Sequence, residues 1–302
     1  MIDLTTNIGN LNLDNPILLA SGILDQTADS MEIILEGGMG GVITKSIGFE
    51  PREGHPNPTM VELEHGLLNA MGLPNPGIDI FKREIRELLE KTDKIVVGSI
   101  FAGESQGFVK LAEDMENSGV HAIELNLSCP HAEGYGSMIG KDPDLVENIV
   151  KNVKENVSIP VFAKLPPFSD IVNVSRFAEK GGADAIVLIN TIKAMSINFE
   201  TRKPVLGNKV GGYSGPAIKP VGLRCVYEVY KEVDVPIIGC GGINNGRDAL
   251  EYILAGASAL QVGSAIYYRG KETGKLINDE IKGLMGEEEI STLKELIGSA
   301  HR

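Results

Sequence analysis

Residues 160–191, PVFAKLPPFSDIVNVSRFAEKGGADAIVLINT, contain one complete unit of the architecture. The run PVFAKL (160–165) is apolar on both faces except for Lys164, and AIVLINT (185–191) repeats that character. Between them lies an amphipathic stretch, 170–180, closed by Gly181. Strands that are apolar throughout, rather than alternating, belong to parallel sheets buried on both faces, and the intervening helix supplies one cover. Strand, helix and strand in about thirty residues are a parallel crossover unit.

Outward from this segment the unit recurs in both directions. Strand-like runs occur at PILLAS (16–21), GVITKS (41–46), IVVGSIF (95–101) and AIELNLS (122–128), and again at PIIGCGG (236–242) and ALQVGSA (259–265). Helical patterns fill the gaps at 27–36, 77–91, 105–118, 142–156, 217–232 and 245–255, and 271–284 follows the last strand. Asp142-Pro143 is an N-cap followed by a first-turn proline, and Gly119, Gly181 and Gly256 punctuate helix ends. Eight evenly spaced strand–helix units in this length predict a closed (β/α)8 barrel, a TIM barrel, formed by residues 1–302 as a single domain. A doubly wound open sheet is the alternative, but it does not require eight regular strands. The leading segment LTTNIGNLNL predicts a β-hairpin turning at Asn7 to Asn10 and capping the barrel bottom.

With 302 residues and 42% hydrophobic content, the chain can bury a large core. A net charge of −13 repels nucleic-acid phosphates, and segments such as EIRELLEK and GEEEISTLKEL carry it as solvated helix faces. Cys129, Cys225 and Cys240 contain no CxxC pair, which fits a reducing, cytoplasmic compartment and excludes a four-cysteine cluster within this chain. The start, MIDLTTNIGN, lacks a basic segment followed by an apolar one, and no apolar run approaches ~18 residues. His55, His65, His121 and His131 are scattered without metal-ligand spacing. EGGMGGV (36–42) precedes a strand and misses the dinucleotide spacing, so helix termination explains its glycines.

In a barrel the chemistry belongs at the C-terminal ends of the strands. Read in order, those ends carry Ser21-Gly22, Lys45-Ser46, Ser99, Asn126 with Cys129, Lys164, Asn190-Thr191, Gly241-Gly242 and Gly263-Ser264. A ring of hydrogen-bonding groups and glycines around one cavity predicts a ligand site. The glycine pairs after strands seven and eight fit a phosphate held by backbone amides. Lys45 and Lys164 end apolar strands, where an ammonium needs an anionic partner: a core salt bridge, a bound anion, or for Lys164 a Schiff-base role. Asn69, Asn126 and Asn190 supply paired donors and acceptors, suited to a flat ring bearing N–H and C=O groups. Pro130 ends the fourth strand, leaving Cys129 on the connecting loop, either as small hydrophobic filler or facing the ligand.

At these residues the chain resembles the dihydroorotate dehydrogenases over essentially its whole length. The specific segments are TKSIGFEPREGHPNP, NAMGLPNPG, ELNLSCPH, GKDPDLV, FAKLPP, KPVLGNKVGGYSGPAIKP, GCGGI and QVGSAIY. Cysteine in the loop resembles the class 1 enzymes, and the GYGSMIGKDP and SINFETRKPVLGNKVGGYSGPAIKP blocks resemble the B-type catalytic subunit. The resemblance implies an FMN-dependent oxidoreductase that converts (S)-dihydroorotate to orotate in pyrimidine biosynthesis. It also implies a homodimer and an electron-transfer partner subunit carrying FAD and a [2Fe–2S] cluster, with NAD+ as acceptor.

Residue by residue, the resemblance implies that Ser21, Lys45, Ser46, Asn126, Lys164, Ile189, Gly215, Gly241, Gly242, Gly263 and Ser264 bind FMN. Lys45, Asn69, Ala70, Met71, Gly72, Leu73, Asn126, Asn190 and Thr191 are implied to hold the substrate. Cys129 is implied to take a proton from C5 while a hydride leaves C6 for FMN. Many family members carry asparagine where this chain has Ser99 in GSIFAG, and Ser99 is expected near the flavin with a shorter reach. HAEGYGSMIG (131–140) is a candidate lid or a mobile loop. The alternatives are a fumarate-dependent A-type enzyme, a pyrimidine reductase like dihydropyrimidine dehydrogenase, a Schiff-base lyase using Lys164, and a non-catalytic binding barrel.

Overall fold

A computed structural model describes residues 2–128, 139–167 and 170–302. Cys129, His131 and most of the candidate lid lie outside the described residues. Eight parallel strands close a barrel: β1 (Ile17–Leu19), β2 (Gly41–Ile43), β3 (Ile95–Ile100), β4 (Ala122–Asn126), β5 (Val161–Leu165), β6 (Ala185–Leu188), β7 (Ile237–Cys240) and β8 (Ala257–Val262). They stand in chain order, and β8 pairs with β1 through the register Leu260↔Ile17. The predicted strands and barrel are therefore observed, though several ladders stop short of the predicted ends. Thr44 to Ser46, for example, lie beyond β2, but Thr44 N–H still bonds Val97 O at 2.9 Å.

The connecting helices are α1 (Ala28–Glu36), α2 (Ile78–Lys91), α3 (Ser105–Asn117), α4 (Pro143–Lys154), α5 (Ile171–Lys180), α6 (Lys219–Tyr230) and α7 (Gly246–Ala255). The sequence explains them locally. In α2, Ile78, Phe81, Ile85 and Leu88 fall on one stripe and are buried, each contributing roughly 1.5–3 kcal/mol of apolar burial. In α4, Asp142 caps the helix by accepting from Leu145 N–H at 3.1 Å, and Pro143 occupies the first turn as expected. A short helix not foreseen, α8 (Ala265–Arg269), follows β8 directly and precedes α9 (Thr273–Glu287). Among the described residues, no helix is long and apolar enough to cross a membrane.

Strand alternation separates two cores. Outward residues such as Ile123 and Leu125 pack against the helices, whereas Leu18, Ile43, Val97, Ala122, Phe162, Val187, Ile238 and Ala259 fill the barrel. The predicted hairpin forms from Thr6–Ile8 and Leu11–Leu13, and its Ile8 and Leu13 join that inner core as a plug. Above this apolar layer the inward positions become polar. A further element not expected from the sequence is a four-stranded antiparallel sheet, ordered Ile192–Met195, Val210–Ser214, Gly66–Asn69 and Met60–Leu63. It joins the chain following β2 to the chain following β6 and has its own small core of Leu68, Ala70 and Leu206.

Candidate active site

The polar strand ends converge. Ser21 and Ser46 hydroxyls lie 3.3 Å apart, and Ser46 and Ser99 hydroxyls 2.9 Å apart. Asn126 donates its amide to Ser46 Oγ at 3.2 Å and accepts from Asn190 Nδ2 at 3.2 Å. One hydrogen-bonded chain thus ties together groups following β1, β2 and β6 with residues of β3 and β4. Asn190 Oδ1 also accepts the Thr191 N–H at 2.7 Å. Asn69 enters through the accessory sheet: it is the register partner of Gly212 and donates to its carbonyl at 3.4 Å. Ala70 to Leu73 are tied to the 54–59 segment, with Ala70 N–H on Thr59 O and His55 N–H on Met71 O. No bond joins them to the polar chain among the described residues.

The glycine positions form a second cluster. Gly241 has φ +123° and Gly242 φ +73°, conformations that disfavour any side chain. A Cβ on Gly242 would stand 2.7 Å from both Gly215 O and Lys219 N, so the backbones of these turns meet with no room for one. Ile189 borders the same turn, and Gly263 has only Ala20 nearby.

Beneath the ring lies a charged layer in which sequence reasoning named Lys164 but missed Glu124 and Gln261. Glu124 on β4 and Gln261 on β8 are fully buried, and Lys164 on β5 nearly so. Lys164 Nζ donates to Gln261 Oε1 at 2.7 Å and to Glu124 Oε1 at 3.3 Å, and Gln261 Nε2 donates to Glu124 Oε2 at 2.5 Å. Ser99, the register partner of Glu124, adds a hydroxyl at 3.4 Å. The anionic partner of Lys164 is therefore within the protein. Burial is the largest single influence and drives its pKa down, but the charge and hydrogen bond of Glu124, together with the acidic groups of Cys240 and Asp25, hold it above the ordinary lysine value. That opposes a Schiff-base role, which needs a neutral amine. Removing one member of such a buried pair typically costs roughly 3–5 kcal/mol. The signal was present in the sequence: Ala122, Glu124 and Asn126 are spaced by two and share one strand face.

Asp25 was also missed. It is buried after β1, where its carboxylate accepts the Gly22 N–H at 2.5 Å and its carbonyl accepts the Lys45 N–H at 3.0 Å. Burial pushes its pKa up, against the pull of the Lys45 charge and the Gly22 amide. Two surface clefts, of about 540 and 370 Å³, lie on α3 and beside the N-terminal segment, away from these strand ends.

The donor set fits a flat, hydrogen-bonding ring that ends in a phosphate. Amides and an ammonium meet at the strand ends, a close-packed glycine turn lies beside them, and Ser128 Oγ is buried without a partner among the described residues. A family model described as dihydroorotate dehydrogenase matches residues 3–285. The chain is 50% identical to the catalytic subunit of dihydroorotate dehydrogenase B (NAD(+)) of Thermoplasma acidophilum, covering 100% of both chains. It is 49% identical to the protein of the same name from Methanocaldococcus jannaschii, covering 99% of this chain and 98% of that one. The crystal structure of the Eimeria tenella enzyme in complex with ferulenol shares the fold, with a TM-score of 0.85 at 22% identity over 99% of this chain and 89% of that one.

Proposed function

The chain belongs to the dihydroorotate dehydrogenase family, and from that membership we propose that it oxidises (S)-dihydroorotate to orotate in pyrimidine biosynthesis as a B-type catalytic subunit. The observation that carries this reading is the full-length identity of about half to proteins named as that subunit. FMN, bound at the strand ends, supplies the two-electron acceptor. Lys45, Asn126 and Lys164 would hold it, together with Ser21, Ser46, Ser99, Ile189 and the glycines at 215, 241, 242 and 263 and with Ser264. The glycine turns would offer backbone N–H groups to its phosphate.

Asn126 and Asn190 already share a hydrogen bond, so their remaining amide groups are pre-oriented toward a ligand. With Lys45, Asn69, Thr191 and the 70–73 segment they hold the substrate ring and its carboxylate. Cys129 takes the proton from C5; its thiol, ordinarily titrating near ~8.5, needs stabilisation as thiolate to act at neutral pH. The charge of Lys164, fixed before substrate arrives, favours negative charge developing beside it. A partner subunit carrying FAD and a [2Fe–2S] cluster would supply the route for electrons to NAD+. The same reading includes a homodimer, a single domain and a cytoplasmic location.

The test is spectroscopic. The purified chain is expected to be yellow and to bleach on anaerobic addition of dihydroorotate but not of dihydrouracil. NAD+ reduction should require the partner subunit. Turnover of the isolated chain with fumarate would move it to the A-type, and a protein that takes up no FMN would overturn the reading.

A further inference from the structure

Glu124 has no place in the chemistry above, yet the barrel devotes its central layer to it. It accepts from Lys164, Gln261 and Ser99, which together occupy both carboxylate oxygens and fit the ionised, acceptor-only form. Lys164 in turn commits two of its three N–H bonds to Gln261 and Glu124, leaving one for a ligand. Register explains the closure: Ser99 stands beside Glu124, and Lys164 stands beside Asn126 on the adjoining strand.

We propose that Glu124 is a positioning residue that, with Gln261, clamps the Lys164 ammonium in place and charged, and thereby sets the redox potential of the flavin bound above it. The inference rests on the reading that FMN occupies these strand ends. Its physical basis is a charge count. Glu124 and Lys164 together carry no net charge, so the flavin faces a lysine whose field is opposed by the carboxylate behind it. Without the carboxylate, either the layer becomes cationic or Lys164 releases its proton, and pH decides which. Among the described residues, the other titratable groups facing Lys164 are Cys240 on β7 and Asp25 after β1. Burial pushes the Cys240 thiol up, so it stays neutral at physiological pH, and Asp25 is turned toward Gly22 and Lys45.

The experiment compares wild type, Glu124→Gln, Glu124→Asp, Lys164→Met and the Glu124→Gln/Lys164→Met double variant. In the flavin-free proteins, Glu124→Gln should gain roughly 3–6 °C in Tm relative to the double variant between pH 6 and 9, as its uncompensated lysine is relieved of charge. Wild type should show no such gain. In the FMN-loaded proteins, Glu124→Gln should have a more positive flavin potential than wild type at pH 6, falling more steeply with pH. Glu124→Asp, which keeps the charge, should return to the wild-type slope, and Lys164→Met should lie below wild type. Parallel potential–pH lines for wild type and Glu124→Gln overturn the inference while leaving the flavin site intact. Failure of wild type to take up FMN overturns the site reading and the inference with it.

Discussion

Asn190, just beyond β6, donates its side-chain amide to Asn126 at the end of β4, although β5 stands between the two strands. The bond bridges over the end of β5 and fixes which amide atoms remain for a ligand. Asn126→Ala and Asn190→Ala are each expected to weaken orotate binding by about 10–100-fold, the usual range for an unpaired buried polar partner. The double variant should lose less than the sum, because both remove one shared contact. Titration of orotate against the flavin absorbance measures this; affinities within twofold of wild type would remove the pair from the substrate site.

Cys129→Ser is expected to slow flavin reduction by dihydroorotate by about 10²–10⁴-fold and move the residual activity to higher pH, since a hydroxyl is far less acidic than a thiol. Anaerobic stopped-flow across pH 6–10 measures both effects. Unchanged reduction kinetics would eliminate the thiol as base.

Gly242→Ala combines a left-handed backbone with a Cβ that would stand 2.7 Å from two backbone atoms. The expected outcome is a loss of about 1–3 kcal/mol of stability and a marked fall in FMN content, read from calorimetry and the ratio of flavin to protein absorbance. A fully flavinated, equally stable variant would contradict the close approach of these turns.

Cys225 in α6 is buried, and desolvation pushes its thiol up from 9.0 to about 11. A group raised on folding lends stability that is present below its unfolded pKa and vanishes as pH climbs through the folded one. Two units correspond to about 2–3 kcal/mol. The stability difference between wild type and Cys225→Ala should therefore be constant to about pH 9 and shrink between pH 9 and 11. Denaturant melts at each pH test it; a difference independent of pH would place the titration elsewhere.

The barrel was legible in the sequence because unbroken apolar runs such as PVFAKL and AIVLINT carry fold information in a few consecutive residues. Ser46, Asn126, Lys164 and Asn190 were legible for the complementary reason, as polar residues at the ends of such runs. Glu124 and Gln261 were not, because each sits inside a run that was read as an apolar whole. Their partnership is also non-local: they are 137 residues apart and meet only when the barrel closes. The accessory sheet escaped for a related reason. VGGYS and GLLN are short and glycine-bearing, read locally as loop, and owe their strand form to pairing with each other across the chain. The 70–73 segment is bonded to the neighbouring 54–59 loop, a contact no spacing rule announces.

The seam where Leu260 meets Ile17, with Leu260 N–H on Pro16 O at 2.8 Å, joins the barrel's first strand to its last. A ribosome-bound chain that has delivered Glu124 and Lys164 but not Gln261 has no closed wall around either charge, and water solvates both. The ion pair becomes a buried pair only as β8 docks, so the site is complete only once the barrel closes. Until then the incomplete sheet presents two open edges, and that interval is when a nascent chain of this protein most needs shielding from its neighbours.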